Sequence, residues 1–266
     1  MILGLYDDLK RPIRRFIKES AYRQVSFLAA RLALRKRYQP GTTQLLGQTF
    51  RYTDAASLVS AARDILADGG YCFPAERCNP VIFDVGANIG IASAWFLQTY
   101  PQARICAFEP DPQAYSCLIA NMAHAGKQII CHQAAAWTSD GFVHFSPDGA
   151  DGGQLVEHGG LTVASRDLQP FIAAETIIDL LKMDVEGSEY ALIEHLRADL
   201  PRIRNLAMEC HDVDRRSRDF ARLIALLGES GFQIVIGGGA LHRPLMDPSK
   251  GRQILVSATR VLPPLR

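Results

Sequence analysis

Apolar residues recur at steps of three or four from Ile13 through Phe16, Ile17, Ala21, Val25, Leu28 and Leu32, which predicts an amphipathic helix. Pro12 suits its first turn, and Tyr38-Gln39-Pro40-Gly41 marks its end. Residues 43–53, TQLLGQTFRYT, predict a short hairpin around Gly47. Asp54 is placed to cap a second helix carrying Leu58, Ala62, Ile65 and Leu66, stopped by Gly69-Gly70.

From residue 80 the pattern changes to short apolar runs, at 81–85, 104–108, 128–133, 177–183, 204–209, 232–236 and 253–258. Helical segments at 89–99, 112–125, 188–197 and 218–230 separate most of them. Strand and helix in alternation imply a mostly parallel sheet covered on both faces. The last two runs have no helix between them and are expected to pair antiparallel. The expected fold is therefore α/β, a doubly wound, seven-stranded, mostly parallel sheet with an N-terminal helical extension. Three parts follow: the basic helical extension (1–41), a hairpin and helix leading into the core (42–79), and the main domain (80–266).

Composition narrows the class. The 266 residues are 48% hydrophobic and 21% charged, as in an ordinary globular protein. No apolar run approaches the roughly 20 residues needed to span a bilayer. The first residues lack an apolar stretch followed by a small-residue cleavage site, so a cytoplasmic location is expected. The six cysteines show no paired CxxC spacing, which points to reduced thiols and away from a zinc site. Residues 1–40 hold ten Lys/Arg against three Asp/Glu, whereas the remainder holds 19 against 25. The basic stripe at 10–37 reads first as a helix packed on the core or on a twin subunit in a homo-oligomer. Peripheral contact with an anionic membrane is the next reading, and no nucleic acid is expected.

Three stretches carry chemistry. VIFDVGANIG (81–90) ends a buried run in Asp84 and then turns through Gly86, Asn88 and Gly90 into a helix. Glycines permit a sharp turn and close approach, and free N–H groups at a helix start bind polar ligand groups. The central glycine of the dinucleotide fingerprint is missing, which suits a cofactor with no phosphate there and Asp84 facing a positive amine. ARICAFEPDP then ends in Glu109, 19 positions beyond Gly90, where a carboxylate can accept from both ribose hydroxyls. Asp111-Pro112 reads as an N-cap with a first-turn proline. LLKMDVEGSEY (180–190) ends a buried run in Lys182, Asp184 and Glu186, before Gly187 and a possible cap, Ser188. Charges there must pair, reach solvent or face a ligand.

DVGANIG, FEPDP and LKMDVEGSE, in this order and preceded by DGGYCFP, resemble the FkbM family of S-adenosylmethionine-dependent methyltransferases over roughly residues 42–257. The resemblance implies the class I methyltransferase fold, S-adenosylmethionine as cofactor and S-adenosylhomocysteine as product. It implies that Asp84, Gly86, Asn88 and Gly90 line the methionine end and that Glu109 binds the ribose. Gln133 and Ala135, in CHQAAAW, would flank the adenine. Asp184 would lie beside the transferable methyl. The family is associated with O-methylation of diverse hydroxyls, so the expected acceptor is a sugar, glycolipid, lipid-linked sugar or natural product.

Transfer to an aliphatic hydroxyl needs a base, and general-base help contributes about 10²–10⁴-fold. In this fold the strand NLAMECHD should lie beside that of Asp184, bringing Glu209 and His211 next to Asp184 and Glu186. His211 is the first choice of base because imidazole titrates near neutrality. Asp184 orients it or takes the proton itself, and Glu209 is second choice for either role. A divalent metal on Asp184, Glu209 and His211, as in catechol-type O-methyltransferases, is a less favoured alternative. Two other functions compete. RNA 2′-O-methyltransferases pair a fourth-strand Asp with a fifth-strand Lys, where this chain has Glu209-Cys210-His211. A non-catalytic cofactor-binding module would not need the charged cluster. The glycine-rich segment 145–160 is expected to be a loop acting as a lid over the acceptor.

Overall fold

A computed structural model describes residues 19–237 and 253–260. The predicted helix start at Pro12, with Ile13, Phe16 and Ile17, lies outside the described residues. Helix α1 (Ser20–Leu32) buries Val25, Leu28 and Leu32 in the same apolar cluster as Ile82, Ile105 and Leu118, so the extension packs on the core. Strands β1 (Gly41–Leu45) and β2 (Gln48–Tyr52) form the predicted hairpin, turning through Leu46 and Gly47, both at positive φ. The Asp54 side chain accepts from Ser57 N at 3.0 Å at the start of α2 (Ala55–Ala62). Helix α2 then widens into a π turn over Arg63–Ala67, a feature the helical periodicity did not predict.

The main sheet uses β3 (Val81–Val85), β4 (Arg104–Phe108), β5 (Ile129–His132), β10 (Ile178–Met183), β11 (Ile203–Cys210), β12 (Gln233–Gly237) and β13 (Ile254–Thr259). Their order is β12-β13-β11-β10-β3-β4-β5. Strands β3, β4, β5, β10 and β11 pair parallel, β13 runs antiparallel to β12, as expected, and β13 is also antiparallel to β11. Period-two alternation divides the core. Ile82, Ile105, Leu180 and Ala207 face one layer, and Val81, Phe83, Val85, Leu181 and Met183 face the other. Helices α3 (Ile91–Thr99) and α4 (Pro112–Met122) cover the first layer. Helices α5 (Leu168–Ala173), α6 (Glu189–His195) and α7 (Ser217–Glu229) cover the second.

Within the segment expected to be a loop, residues 147–153 and 157–160 are loop, while 145–146 and 154–156 belong to a second, four-stranded sheet. Strands β6 (Ala135–Trp137), β7 (Gly141–Ser146), β8 (Gln154–Val156) and β9 (Leu161–Asp167) lie in the order β6-β9-β7-β8. Residues 145–160 are the β7–β8 hairpin and the turn that follows. Two of its glycines serve close packing. A Cβ at Gly160 would overlap the Phe145 carbonyl, and one at Gly153 would overlap the Phe145 ring. Strands of three residues are also too short to show alternation. No helix among the described residues is long and apolar enough to cross a membrane.

Candidate active site

The carboxyl ends of β3, β4, β10 and β11 open into one cavity of about 680 Å³. Helix α2, Tyr71 and the β7–β8 hairpin complete its walls. Glu109 and Asp184 both line it, two strands apart, with β3 between them.

The β3 turn is built by contacts that a sequence motif hides. Gly86 sits at φ +79, where a Cβ would overlap the Asp184 carbonyl oxygen, so glycine is required by the approach of the β10 end. Gly90, at φ +88, faces Leu118 of α4 and does not line the cavity. Asn88 takes left-handed backbone (φ 50) and accepts from Ile89 N through its own Oδ1 at 2.6 Å. Its N–H donates to Glu109 Oε2 at 2.7 Å, while Asp111 N donates to Glu109 Oε1 at 2.8 Å. Glu109 is thus aimed by two backbone donors, keeping a further acceptor lone pair on each oxygen. Burial pushes its carboxyl up to about 7 despite those donors. Asp111 caps α4, accepting from Gln113 N at 2.7 Å.

Asp84 does not face the cavity. Register places it beside Lys182 on β10, whose ammonium lies 3.2 Å away and also donates to Gly86 O at 2.5 Å. Ser93 Oγ donates to the other Asp84 oxygen at 2.6 Å. The negative charge expected to meet a ligand amine is met inside the protein. Burial lowers the Lys182 pKa, but Asp84 and Asp184 outweigh it and the net shift is upward, so the pair is ionic.

At the other end, β10 and β11 bring four acids and one imidazole together. His211 is 5% exposed, and its Nδ1 lies 2.7 Å from Glu189 Oε1. A carboxylate only accepts, so Nδ1 carries the proton. The same oxygen accepts from Gly187 N at 3.2 Å and Val185 N at 3.3 Å. His211 Nε2 lies 3.3 Å from Glu186 and 3.8 Å from Asp184, with a hydrogen bond to neither. Burial lowers the imidazole, yet the Glu189 hydrogen bond and the charges of Glu189, Glu186 and Asp184 outweigh it, raising it to about 10. Burial pushes Glu186 up to about 8. The charge of Asp184, then burial, pushes Glu209 up to about 7. Glu209 Oε1 accepts from the Tyr71 hydroxyl at 3.0 Å.

A model of the methyltransferase FkbM domain matches residues 84–234. The 31-O-demethyl-FK506 methyltransferase FkbM of Streptomyces tacrolimicus is 30% identical over 256 residues, covering 80% of this chain and 95% of that one. The chain belongs to the FkbM family of S-adenosylmethionine-dependent methyltransferases. The 2-O-methyltransferase NoeI of Sinorhizobium fredii is 29% identical over 160 residues, 52% of this chain and 65% of that one. The hexuronic acid methyltransferase AglP of Haloferax volcanii is 28% identical over 136 residues, 49% and 56% of the two chains.

The cavity of this FkbM-family chain has the size of a small-molecule site, and its acidic wall suits a cationic donor. Of the residues singled out in the sequence, Gly86, Asn88, Glu109, Ala135, Asp184, Glu186, Glu209 and His211 line it, whereas Asp84, Gly90 and Gln133 do not. Gln133 is exposed at the end of β5, and its neighbours Ala135 and Ala136 face the cavity instead. Ser188 heads α6 without a side-chain cap bond.

Two residues, Tyr71 and Glu189, escaped sequence reasoning, as did the partner of a third, Lys182. Tyr71 sits in the DGGYCFP stretch with no chemical signal of its own. Lys182 interrupts an apolar run, which signals a buried partner without naming it. Glu189 carried a readable clue: it shares a face of α6 with the buried Leu192, Ile193 and Leu196, so a carboxylate there demands a donor.

Proposed function

We propose that this FkbM-family enzyme methylates a hydroxyl oxygen of a sugar or natural-product acceptor. One observation carries the reading: Glu109 and the acids around Asp184 share a single cavity at the carboxyl edge of the sheet. The names of its relatives support oxygen as the target, since FkbM and NoeI are O-methyltransferases and AglP acts on a hexuronic acid. Glu109 accepts from the ribose hydroxyls, the loop 86–88 meets the methionine portion, and Phe108, Ala135 and Ala136 form the apolar wall for the adenine. When bound, S-adenosylmethionine supplies an electrophilic methyl group and leaves as S-adenosylhomocysteine.

The chain's own task is to align the acceptor hydroxyl and remove its proton. His211, the first choice from sequence, is poorly placed for that task, with Nδ1 held by Glu189 and Nε2 turned into Glu186 and Asp184. Glu209 is better placed. It lines the cavity, and the Tyr71 hydroxyl fixes one oxygen while the other remains to take the proton.

Purified protein with methyl-labelled S-adenosylmethionine and a panel of sugars, hexuronic acids and hydroxylated macrocycles tests the reading. Label should appear on oxygen, located by NMR of the product. Label on nitrogen or on RNA alone would replace it. Glu209→Gln should lower turnover by about 10²–10⁴-fold with cofactor affinity unchanged. Full turnover in that variant removes Glu209 as the base.

A further inference from the structure

We propose that Asp184, Glu186 and His211 hold a divalent metal ion at the acceptor end of the cavity. One ligand atom from each lies within 4.8 Å of the others, and all three residues line the cavity. Glu189 makes the imidazole a directed ligand. By accepting from Nδ1–H it leaves Nε2 as the nitrogen on which a metal can replace a proton, the carboxylate–histidine pairing that orients metal-binding histidines.

The independent sign is Nε2 itself. The atom is buried, has no hydrogen-bond partner, and points between two carboxylates. Two carboxylates facing one nitrogen call for positive charge there, carried by a proton on Nε2 in the metal-free chain and by the metal ion that replaces it on binding. The two separations from Nε2 also admit an ion in place of that proton. Ligands about 2.1 Å from one ion, at angles of about 90–130°, stand about 3.0–3.8 Å apart. The observed separations from Nε2 are 3.3 and 3.8 Å. A direct hydrogen bond would bring a carboxylate oxygen nearer, as Glu189 is on the other ring nitrogen.

Charge points the same way. Asp84 is paired with Lys182 and Glu189 with His211, while Asp184, Glu186 and Glu209 crowd one end of the cavity. Two carboxylate oxygens with one imidazole suit a first-row divalent ion such as Mn²⁺, Fe²⁺ or Zn²⁺, and the open side of such a site faces the space for an acceptor hydroxyl. The set differs from the one suggested by sequence, because Glu186, at φ 51, turns toward His211 and Glu209 turns to Tyr71. Only the ion's role toward the acceptor rests on the methyl-transfer reading; its binding rests on the geometry.

The test uses the full-length chain after EDTA treatment, titrated with MnCl2 and followed by the EPR signal of free Mn²⁺. One ion per chain should bind, with affinity at least about 100-fold weaker in Glu186→Gln and Asp184→Asn. Glu189→Gln, one shell out, should lose about 10–100-fold. Glu109→Gln should bind Mn²⁺ like the parent. Thermal melts of each metal-free variant establish that it is folded. No bound Mn²⁺ in the parent, or undiminished binding in folded Glu186→Gln, overturns the proposal. Calorimetry of S-adenosylmethionine on the same metal-free protein reports on the methyl-transfer reading separately.

Discussion

Raising the pH from 6 to 8 should tighten S-adenosylmethionine binding through Glu109 by about tenfold. The carboxyl is 6% exposed, and burial pushes it from 4.5 up to about 7 in the unliganded chain. Under the proposed ribose role, two hydroxyls donating to it would stabilise the charged form, returning its pKa toward the ordinary ~4.5. At pH 6 the group is then about nine-tenths protonated when free and only a few per cent protonated when bound. Binding should release ~0.9 proton at pH 6, ~0.5 at pH 7 and ~0.1 at pH 8. Integrated over the interval, that linkage is about tenfold in affinity, or ~1.4 kcal/mol.

Calorimetry in buffers of different ionisation enthalpy counts these protons. The ligand's own amine titrates near pH ~8, so the quantity to read is the difference between parent and Glu109→Gln. The sign for the free protein runs the other way. A carboxyl raised on folding contributes stability below ~4.5 that is lost as pH rises through about 7, so the unliganded chain should melt lower at pH 8 than at pH 5. Proton release unchanged in folded Glu109→Gln would refute the assignment, as would parent binding that releases no proton at pH 6.

Other substitutions probe the frame. Gly86→Ala should destabilise the chain by more than ~2 kcal/mol and abolish cofactor binding, because a Cβ there overlaps the Asp184 carbonyl; a melt within a degree of the parent would contradict the packing. Asp179, 1% exposed, accepts from Arg77 Nε at 2.6 Å and Val81 N at 2.7 Å, so Asp179→Ala should cost about 3 kcal/mol in denaturant unfolding. Asp54→Ala should lose about 1–2 kcal/mol with the α2 cap. Burial raises the Asp54 carboxyl, but the Ser57 and Tyr38 N–H groups and Arg37 outweigh it and hold it below its usual range. Its contribution is therefore present above pH ~4 and lost as pH falls further, so acid melts of parent and Asp54→Ala should converge.

Much of this architecture was local and therefore readable. Alternation and helical spacing marked every strand of the main sheet to within a residue or two, and Asp54 and Asp111 announced their caps. FEPDP placed Glu109 because a strand end followed by an N-cap constrains its own neighbours. The second sheet stayed hidden, since β6 and β8 have only three residues each and its glycines answer to contacts with Phe145.

Taken alone, the sequence determined the order of the main-sheet strands and the parallel core, because propensity and periodicity act over a few residues, and its motifs carried the resemblance to the family. Only the tertiary structure decided which charges meet. Asp84 and Lys182 stand 98 positions apart in the chain, and sheet register makes them a pair. His211 finds Glu189, Glu186 and Asp184 because β10 and β11 lie side by side and the turn after β10 folds back over their tips. The same titratable residue is a base, a cation or a ligand according to its neighbours, and those neighbours are set by long-range packing.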